Sequence, residues 1–579
     1  MPVLASAILV FILIPGVDRV EAKFTWPNCA DFKESDFRYV KVVTRTVDPT
    51  LDEPLKVAFD DMPDGKTDIY FVERHGKVKR YDAARNAVVV LGELDVYSDR
   101  ADRAAQTGDT EHGLNGIALD PDFKHNHYIY LFYPPWGEKI FRMSRFTVNA
   151  DKMDMGSEKI LLTMPESRSH VSGTLILLPG GAMTFDAYGD LWITVGADSK
   201  LNPSISETDW AFSAEASSAN LADLRGSVLR IHPDASAKGY SIPKGNLGEY
   251  WSQRFTQGGK AALAAEYANP AKVLPEIYVK GTRNPYSVNV DPVRRWLVWG
   301  DYGPNGMGAI KVEEQNLAVA PIYAGYPYFM GKNLNLMDKV PGMEAKDPAA
   351  PLNKSTWNKG PQQLPPATPS IYSYSGEAGG FIYGKHPTAG PIYRYDGANP
   401  STVKLPPHFE KAWFMAEKGV GLRAFQLSES GDTITDSVSF LTAANIQRPL
   451  DLKQGPDGAL YLVDYSDAWH ASNASTHIGR VEYTGTCRPA EPKLELPSAA
   501  RMEAVRQGPR SLLRAGRLDI SGHGDYALSI RDCRGREVAS LRGQGDRVFS
   551  LSDLPGGPGL YVATLAWKGG SRTLALPRL

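Results

Sequence analysis

Residues 113–133, GLNGIALDPDFKHNHYIYLFY, decide the fold. Apolar residues alternate as the stretch opens, Asp120-Pro121-Asp122 reverses the chain, and Tyr128–Tyr133 is a run of strong strand formers. A two-residue period on both sides of turn residues specifies a hairpin with apolar side chains on alternate positions. The pattern returns in LKVAFDDMPDGKTDIYFVER (55–74), GAMTFDAYGDLWITVGAD (181–198), NPYSVNVDPVRRWLVWGDYG (284–303) and RPLDLKQGPDGALYLVDY (448–465). One such hairpin cannot bury both of its faces, so the copies must stack. Radial stacking of small sheets about an axis covers the faces and protects the edges, which predicts an all-β fold of the β-propeller kind. A pair of β-sandwiches or a parallel β-helix is the competing arrangement, although no short fixed repeat supports it. The copies are unevenly spaced, so long insertions are expected, notably between Tyr302 and Phe414, and spacing alone leaves the number of blades open.

The totals agree with strands and tight turns: 579 residues, 42% hydrophobic, with 54 Gly, 42 Pro and 27 Tyr. A net charge of −2 from 64 basic and 66 acidic side chains provides no long-range field for nucleic acid or an anionic membrane. Residues 1–22 read as a secretory signal, with an apolar run from Leu4 to Val17 and the small-residue end Val20-Glu21-Ala22. No basic residue precedes the run, and a buried N-terminal strand is the alternative. No other apolar stretch is long enough to span a bilayer. Cys29, Cys487 and Cys533 have no CxxC or CxxCH spacing, so a zinc ribbon, thioredoxin chemistry and covalent haem are not indicated. In an exported protein Cys29 and Cys487 are expected to pair, since they flank the repeat region at 23–486.

After Tyr483 the texture changes. Residues 487–505 form a Pro-containing linker, and 506–579 show short strands at intervals of roughly 8–12 residues, which predicts a small C-terminal β-sandwich. Its GLYVATL segment resembles the immunoglobulin-like modules appended to secreted bacterial enzymes, which implies sorting or surface attachment.

A propeller places its ligand site where loops from several blades converge on one channel mouth. Four loops lie at corresponding ends of the copies: Glu111-His112-Gly113, His170-Val171-Ser172-Gly173, Gly281-Thr282-Arg283-Asn284 with its partner Asp301-Tyr302-Gly303-Pro304, and Lys418 with Arg448. They offer a base, several cations for an anionic ligand, and a Gly-Pro corner whose carbonyls suit calcium. Each has a plainer reading: a solvated His, strand-edge charges at Lys418 and Arg448, and a turn held by Asp301.

In order along the chain, GLNGIALDPDF, HVSG, GTRNPYSVNVDP, GDYGPN, AGYPYF and RPLDLKQGPDGALYLVDY resemble the soluble glucose/sorbosone dehydrogenases over residues 40–483. The resemblance implies a six-bladed propeller carrying pyrroloquinoline quinone (PQQ) and calcium. It makes Arg283 and Asn284 quinone contacts, with Arg283 also catalytic through the charge that develops on reduction. Gly303 and Pro304 become carbonyl ligands of calcium, Lys418 and Arg448 partners of cofactor carboxylates, and Glu111 a sugar contact. His170 becomes the base that takes the hydroxyl proton while hydride leaves the sugar's C1. A separate electron acceptor is then required.

Two departures stand out. Extra residues separate HVSG from its strand, so either His170 holds the base position or Leu178, in Leu178-Pro179-Gly180-Gly181, stands there and the base is missing. Leu450 occupies the place where relatives carry a second arginine. The chain therefore reads as a quinone-dependent sugar dehydrogenase, with a calcium-dependent lactonase or a non-catalytic carbohydrate-binding propeller as alternatives.

Overall fold

The architecture is that of a computed structural model describing residues 34–61, 66–98, 111–167, 176–200, 213–304, 311–337, 346–376, 387–466 and 473–485, together with strand segments between 510 and 578. The signal segment, the 487–505 linker, His170 and all three cysteines lie outside the described residues.

β1 (Phe37–Val43) belongs to the last sheet and is taken up below. The first sheet contains β2 (Pro54–Asp61), β3 (Thr67–Glu73), β4 (Lys77–Asp82) and β5 (Ala87–Glu93), each antiparallel to the next. The second contains β6 (Gly116–Leu119), β7 (Tyr128–Tyr133), β8 (Ile140–Asn149) and β9 (Lys152–Pro165). In the third, β10 (Gly180–Phe185), β11 (Leu191–Val195), β12 (Ser227–Pro233) and β13 (Ile277–Lys280) are joined at the edge by Ile322–Tyr323. The helices α1 (Leu247–Gln257) and α2 (Ala261–Tyr267), inserted between β12 and β13, pack Leu247, Phe255 and Tyr267 onto that sheet's core. The fourth holds β14 (Pro285–Val290), β15 (Leu297–Asp301), β16 (Lys311–Ala318) and β17 (Tyr372–Gly376). The fifth holds β18 (Thr388–Ile392), β19 (Trp413–Glu417), β20 (Gly421–Leu427) and β21 (Ile434–Phe440). The last places β22 (Pro449–Gln454), β23 (Leu460–Asp464) and β24 (His477–Tyr483) beside β1.

Alternation in the second strand of each sheet explains how the sheets cohere. In β3, Ile69 and Phe71 enter one core while Tyr70 and Val72 enter the next. In β7, Ile129 and Leu131 share the core of Tyr70 and Val72, whereas Tyr130 and Phe132 join Leu191 and Ile193 of β11. Trp192 then packs with Leu297 and Trp299, Val298 with Trp413 and Met415, and Phe414 with Leu460 and Leu462. Tyr461 and Val463 return to Ile69 and Phe71. Each sheet is thus the filling between two neighbours, and the sequence of cores closes on itself. Burying each such large apolar side chain contributes about 1.5–3 kcal/mol relative to exposure. The first strands touch in the same cyclic order, β2, β6, β10, β14, β18, β22 and back to β2.

β1 closes the ring by pairing antiparallel with β24, in register Phe37 with Tyr483. Cys29 and Cys487, expected to pair, lie outside the described residues; among the described residues the two ends are joined by this ladder and by the Arg38–Glu482 ion pair at 2.5 Å.

The fifth sheet carries the strand pair that has no tight-turn signature. Residues 393–412 separate β18 from β19, so the alternating pattern is interrupted by a long excursion instead of a short reversal. Beyond 510, Arg510–Arg514, Arg517–Ser521 and Arg547–Ser550 form one antiparallel sheet. Asp525–Asp532, Glu537–Gln544, Gly559–Trp567 and Gly570–Arg578 form another, in which alternate residues Tyr526, Leu528 and Ile530 are buried.

Candidate active site

All six first strands enter the ring from the same end. Leu55 and Lys56 of β2, Tyr286 of β14 and Leu450 of β22 line a cavity at that mouth. Val57–Phe59, Asn289–Val290 and Lys453–Gln454, further along the same strands, line a cavity of about 450 Å³ at the opposite mouth. Between them the Lys453 ammonium donates to the carbonyls of Met183 (3.2 Å) and Val288 (2.7 Å), linking three strands across the axis.

The entry cavity is built from the approaches to the first strands. Glu111 and Asn115 come from the second sheet's approach, Pro179 and Gly180 from the third's, and Asn284 from the fourth's. The Asn284 side-chain amide donates to Glu111 Oε2 at 3.0 Å, and its oxygen accepts the Gly180 N–H at 3.3 Å. Glu111 Oε2 also accepts the Leu178 N–H at 3.3 Å. Gly181 is required at the head of β10: its φ is +100°, and a Cβ there would meet the Asn115 Cβ at 2.6 Å.

A repeated device fixes three of the approaches. Pro54, Pro285 and Pro449 each open a first strand, and each lies opposite an acid in the second strand: Glu73, Asp301 and Asp464. Proline has no N–H, and the acid instead captures the amides just before it. Asp301 accepts from Arg283 N (2.9 Å) and Asn284 N (2.7 Å), Asp464 from Gln447 N (3.0 Å) and Arg448 N (2.8 Å), and Glu73 from Asp52 N (2.8 Å). Burial pushes Asp301 up to about 6 against the pull of these amides and of the Arg283 charge. Across the strand pair, burial and the Asp301 carboxylate push Glu314 up to about 8.

The predicted site residues therefore fall into three groups. Glu111 and Asn284 meet in the cavity wall. Arg283 lies directly behind Asn284, fully buried, with Nη1 donating to the Tyr302 carbonyl at 2.7 Å; Tyr302 itself lines the cavity. Gly303 and Pro304 follow it, both buried, and neither carbonyl accepts a hydrogen bond from a described residue, which suits oxygen ligation of a cation. Lys418 and Arg448 are half-buried at the same end, where the Gly419 N–H reaches the Ile446 carbonyl, but they do not line the cavity.

Sequence reasoning missed Lys56, Tyr286 and Tyr465. The available signal for Lys56 was a charged residue set between Leu55 and Val57 in an apolar first strand. Asp52, Glu53 and His75 also cluster, but Glu53 is engaged by Arg74 (2.5 Å), by His75 (3.2 Å) and by the Tyr465 hydroxyl. Its charge is answered by protein groups, not held open for a metal.

The family model described as Glucose / Sorbosone dehydrogenase matches residues 51–253. That span includes Glu111, His170 and Leu178, and stops before Arg283. Human Hedgehog-interacting protein is 24% identical over 242 residues, 39% of this chain and 29% of that protein; the mouse protein is 25% identical over 246 residues, with the same coverage. The chain thus spans under a third of the length of these curated relatives. Among solved structures, an oxidoreductase (glucose dehydrogenase) of Thermus thermophilus is 18% identical with a TM-score of 0.49, covering 77% of this chain and 99% of its own. The PQQ-bound aldose sugar dehydrogenase of Streptomyces coelicolor is 17% identical with a TM-score of 0.46, covering 77% and 98%. The stretch similar to the glucose/sorbosone dehydrogenase family, 51–253, builds the first two sheets and most of the third.

Proposed function

We propose that the closed ring is a six-bladed propeller and that the chain is an exported, PQQ-dependent sugar dehydrogenase with a calcium ion at the Gly303-Pro304 corner. The observation that carries this reading is the meeting of Glu111 and Asn284, at 3.0 Å, in the wall of a channel-mouth cavity assembled from separate blade entries. The tyrosines 286 and 302 and the cation Lys56 give that cavity a lining that fits a flat, anionic group.

On this reading Glu111 and Asn284 orient the sugar hydroxyl and the cofactor edge, and the buried Arg283 guanidinium holds the wall behind them. His170 takes the hydroxyl proton as the C–H hydride departs, leaving a carbonyl carbon in a lactone. PQQ, when bound, supplies the two-electron acceptor for that hydride. A separate acceptor protein or dye would be needed to take up the electrons. The C-terminal strands from 506 to 579 form a small sandwich that sorts or attaches the enzyme.

Reconstitution with PQQ and calcium tests the reading: dye reduction is expected with at least one aldose or related aldehyde. No reduction across a panel of both refutes it. One observation favours a second reading, a propeller that binds a ligand without oxidising it. Leu178 is buried immediately before Pro179-Gly180-Gly181 with φ +81°, so a side chain without a proton acceptor stands at the head of the third entry. Quinone or sugar binding without turnover is the outcome expected from it.

A further inference from the structure

The entry cavity is lined by a buried ammonium that pairs directly with no carboxylate among the described residues. Lys56 is 5% exposed and lines the cavity between Tyr286 and Leu450. Its Nζ lies 5.6 Å from the Tyr286 ring centroid and donates to the Leu450 carbonyl. Among the described residues it has no carboxylate within ion-pairing distance.

Other buried ammonium and guanidinium groups have more acceptors: Lys280, which among the described residues also has no carboxylate partner, donates to two carbonyls and the Ser227 hydroxyl. Lys79 is paired with Asp48 (2.7 Å) and Glu73 (2.6 Å), Arg74 with Glu53, and Lys453 is held by two carbonyls. Asp451 acts on Lys56 through its charge from beyond ion-pairing distance, and that one carboxylate is shared with Lys453. An ammonium has three donors, and the Leu450 carbonyl takes one. Burying a charge without a counter-ion is costly, so the arrangement is explained if a ligand supplies the counter-charge. Burial and the nearby Lys453 charge lower the Lys56 pKa to about 8, against the pull of Asp451, which keeps the group mostly protonated at neutral pH. The other charged groups in the wall are already engaged: Arg74 pairs with Glu53, and Glu111 accepts from the Asn284 and Leu178 donors.

We propose that Lys56 is the anion anchor of the entry cavity, pairing with a carboxylate of the bound ligand; resting on the reading above, that ligand is the quinone. The role is one of positioning and affinity, separate from proton or hydride transfer. Leu450 offers an independent handle, because it lines the same cavity and a cation introduced there would stand at that cavity's wall.

Calorimetric titration of the full chain with PQQ, and separately with benzene-1,3,5-tricarboxylate, tests the proposal. Loss of a charged hydrogen bond is expected to weaken both by about tenfold or more in Lys56→Met. The ligand-free melting temperature of that variant should hold or rise, since an uncompensated buried charge has been removed. Leu450→Arg added to Lys56→Met should recover most of the affinity. A change of less than about threefold for both probes overturns the anchor, as does a fall in the ligand-free melting temperature with no recovery of affinity when Leu450→Arg is added. If the wild-type protein ignores PQQ but binds the tricarboxylate through Lys56, the quinone reading fails and the anchor stands. If PQQ binds wild type and Lys56→Met equally, the reverse holds; if neither probe binds, both fail.

Discussion

The third and fourth entries to the ring hold their backbones in opposite ways. In the fourth, the sheet is self-sufficient: Asp301, from its own second strand, captures the amides of Arg283 and Asn284 and fixes both side chains at the mouth. The third has no acid opposite Gly180, whose partner is Val195. Its amides at Leu178 and Gly180 are instead taken by Glu111 and Asn284, side chains of the neighbouring entries. A motif that carries its own lock can be recognised in isolation. One held by its neighbours cannot, because the groups that fix it lie far away in sequence.

The contrast also gives Glu111 and Asn284 two duties, as candidate ligand contacts and as supports of the entry where the base should sit. The sharpest way to break the comparison is at that base. His170→Ala is expected to lower kcat by about 100-fold to 10,000-fold if the HVSG segment supplies the base, with Leu178→His changing little. Retained turnover in His170→Ala with a gain in Leu178→His assigns the position to residue 178 instead.

The lock itself is the next largest effect. Asp301→Ala strands two buried amides and is expected to cost about 2–5 kcal/mol in denaturant unfolding, with loss of the site. Asp464→Ala should cost a comparable amount through Gln447 and Arg448, whereas a loss confined to one of the two sheets contradicts a shared device.

The smallest effect is a pH dependence in the fourth sheet. Glu314 is raised above its ordinary value of 4.5, so the folded chain holds that proton more tightly than the unfolded chain does. The resulting stability is present below about pH 4.5 and is lost as pH rises toward about 8. Melting temperatures of Glu314→Gln should fall less than those of the wild type over that window; parallel curves exclude Glu314 as the source.

Much of the fold was legible because its signal is local. The five hairpins were readable from the two-residue period and the turn residues within each, and the same strands alternate their side chains between adjacent cores. The fifth sheet was not, since residues 393–412 replace a tight turn and leave the two strands without a shared local pattern. Glu111 and Asn284 were legible through ordered motifs. Lys56 was passed over, because a lysine in a strand reads as a surface charge until the strand is known to face a channel.

The sequence by itself determined the alternating hairpins and the family likeness, both encoded within short spans of chain. Only the tertiary structure decided that the first strands meet around one axis, that Glu111 comes within 3.0 Å of Asn284, and that an ammonium on β2 shares a cavity with β14 and β22. The physical reason is that ring closure brings together residues separated by hundreds of positions, as in the pairing of Phe37 with Tyr483, and burial then sets the charge state of what it encloses.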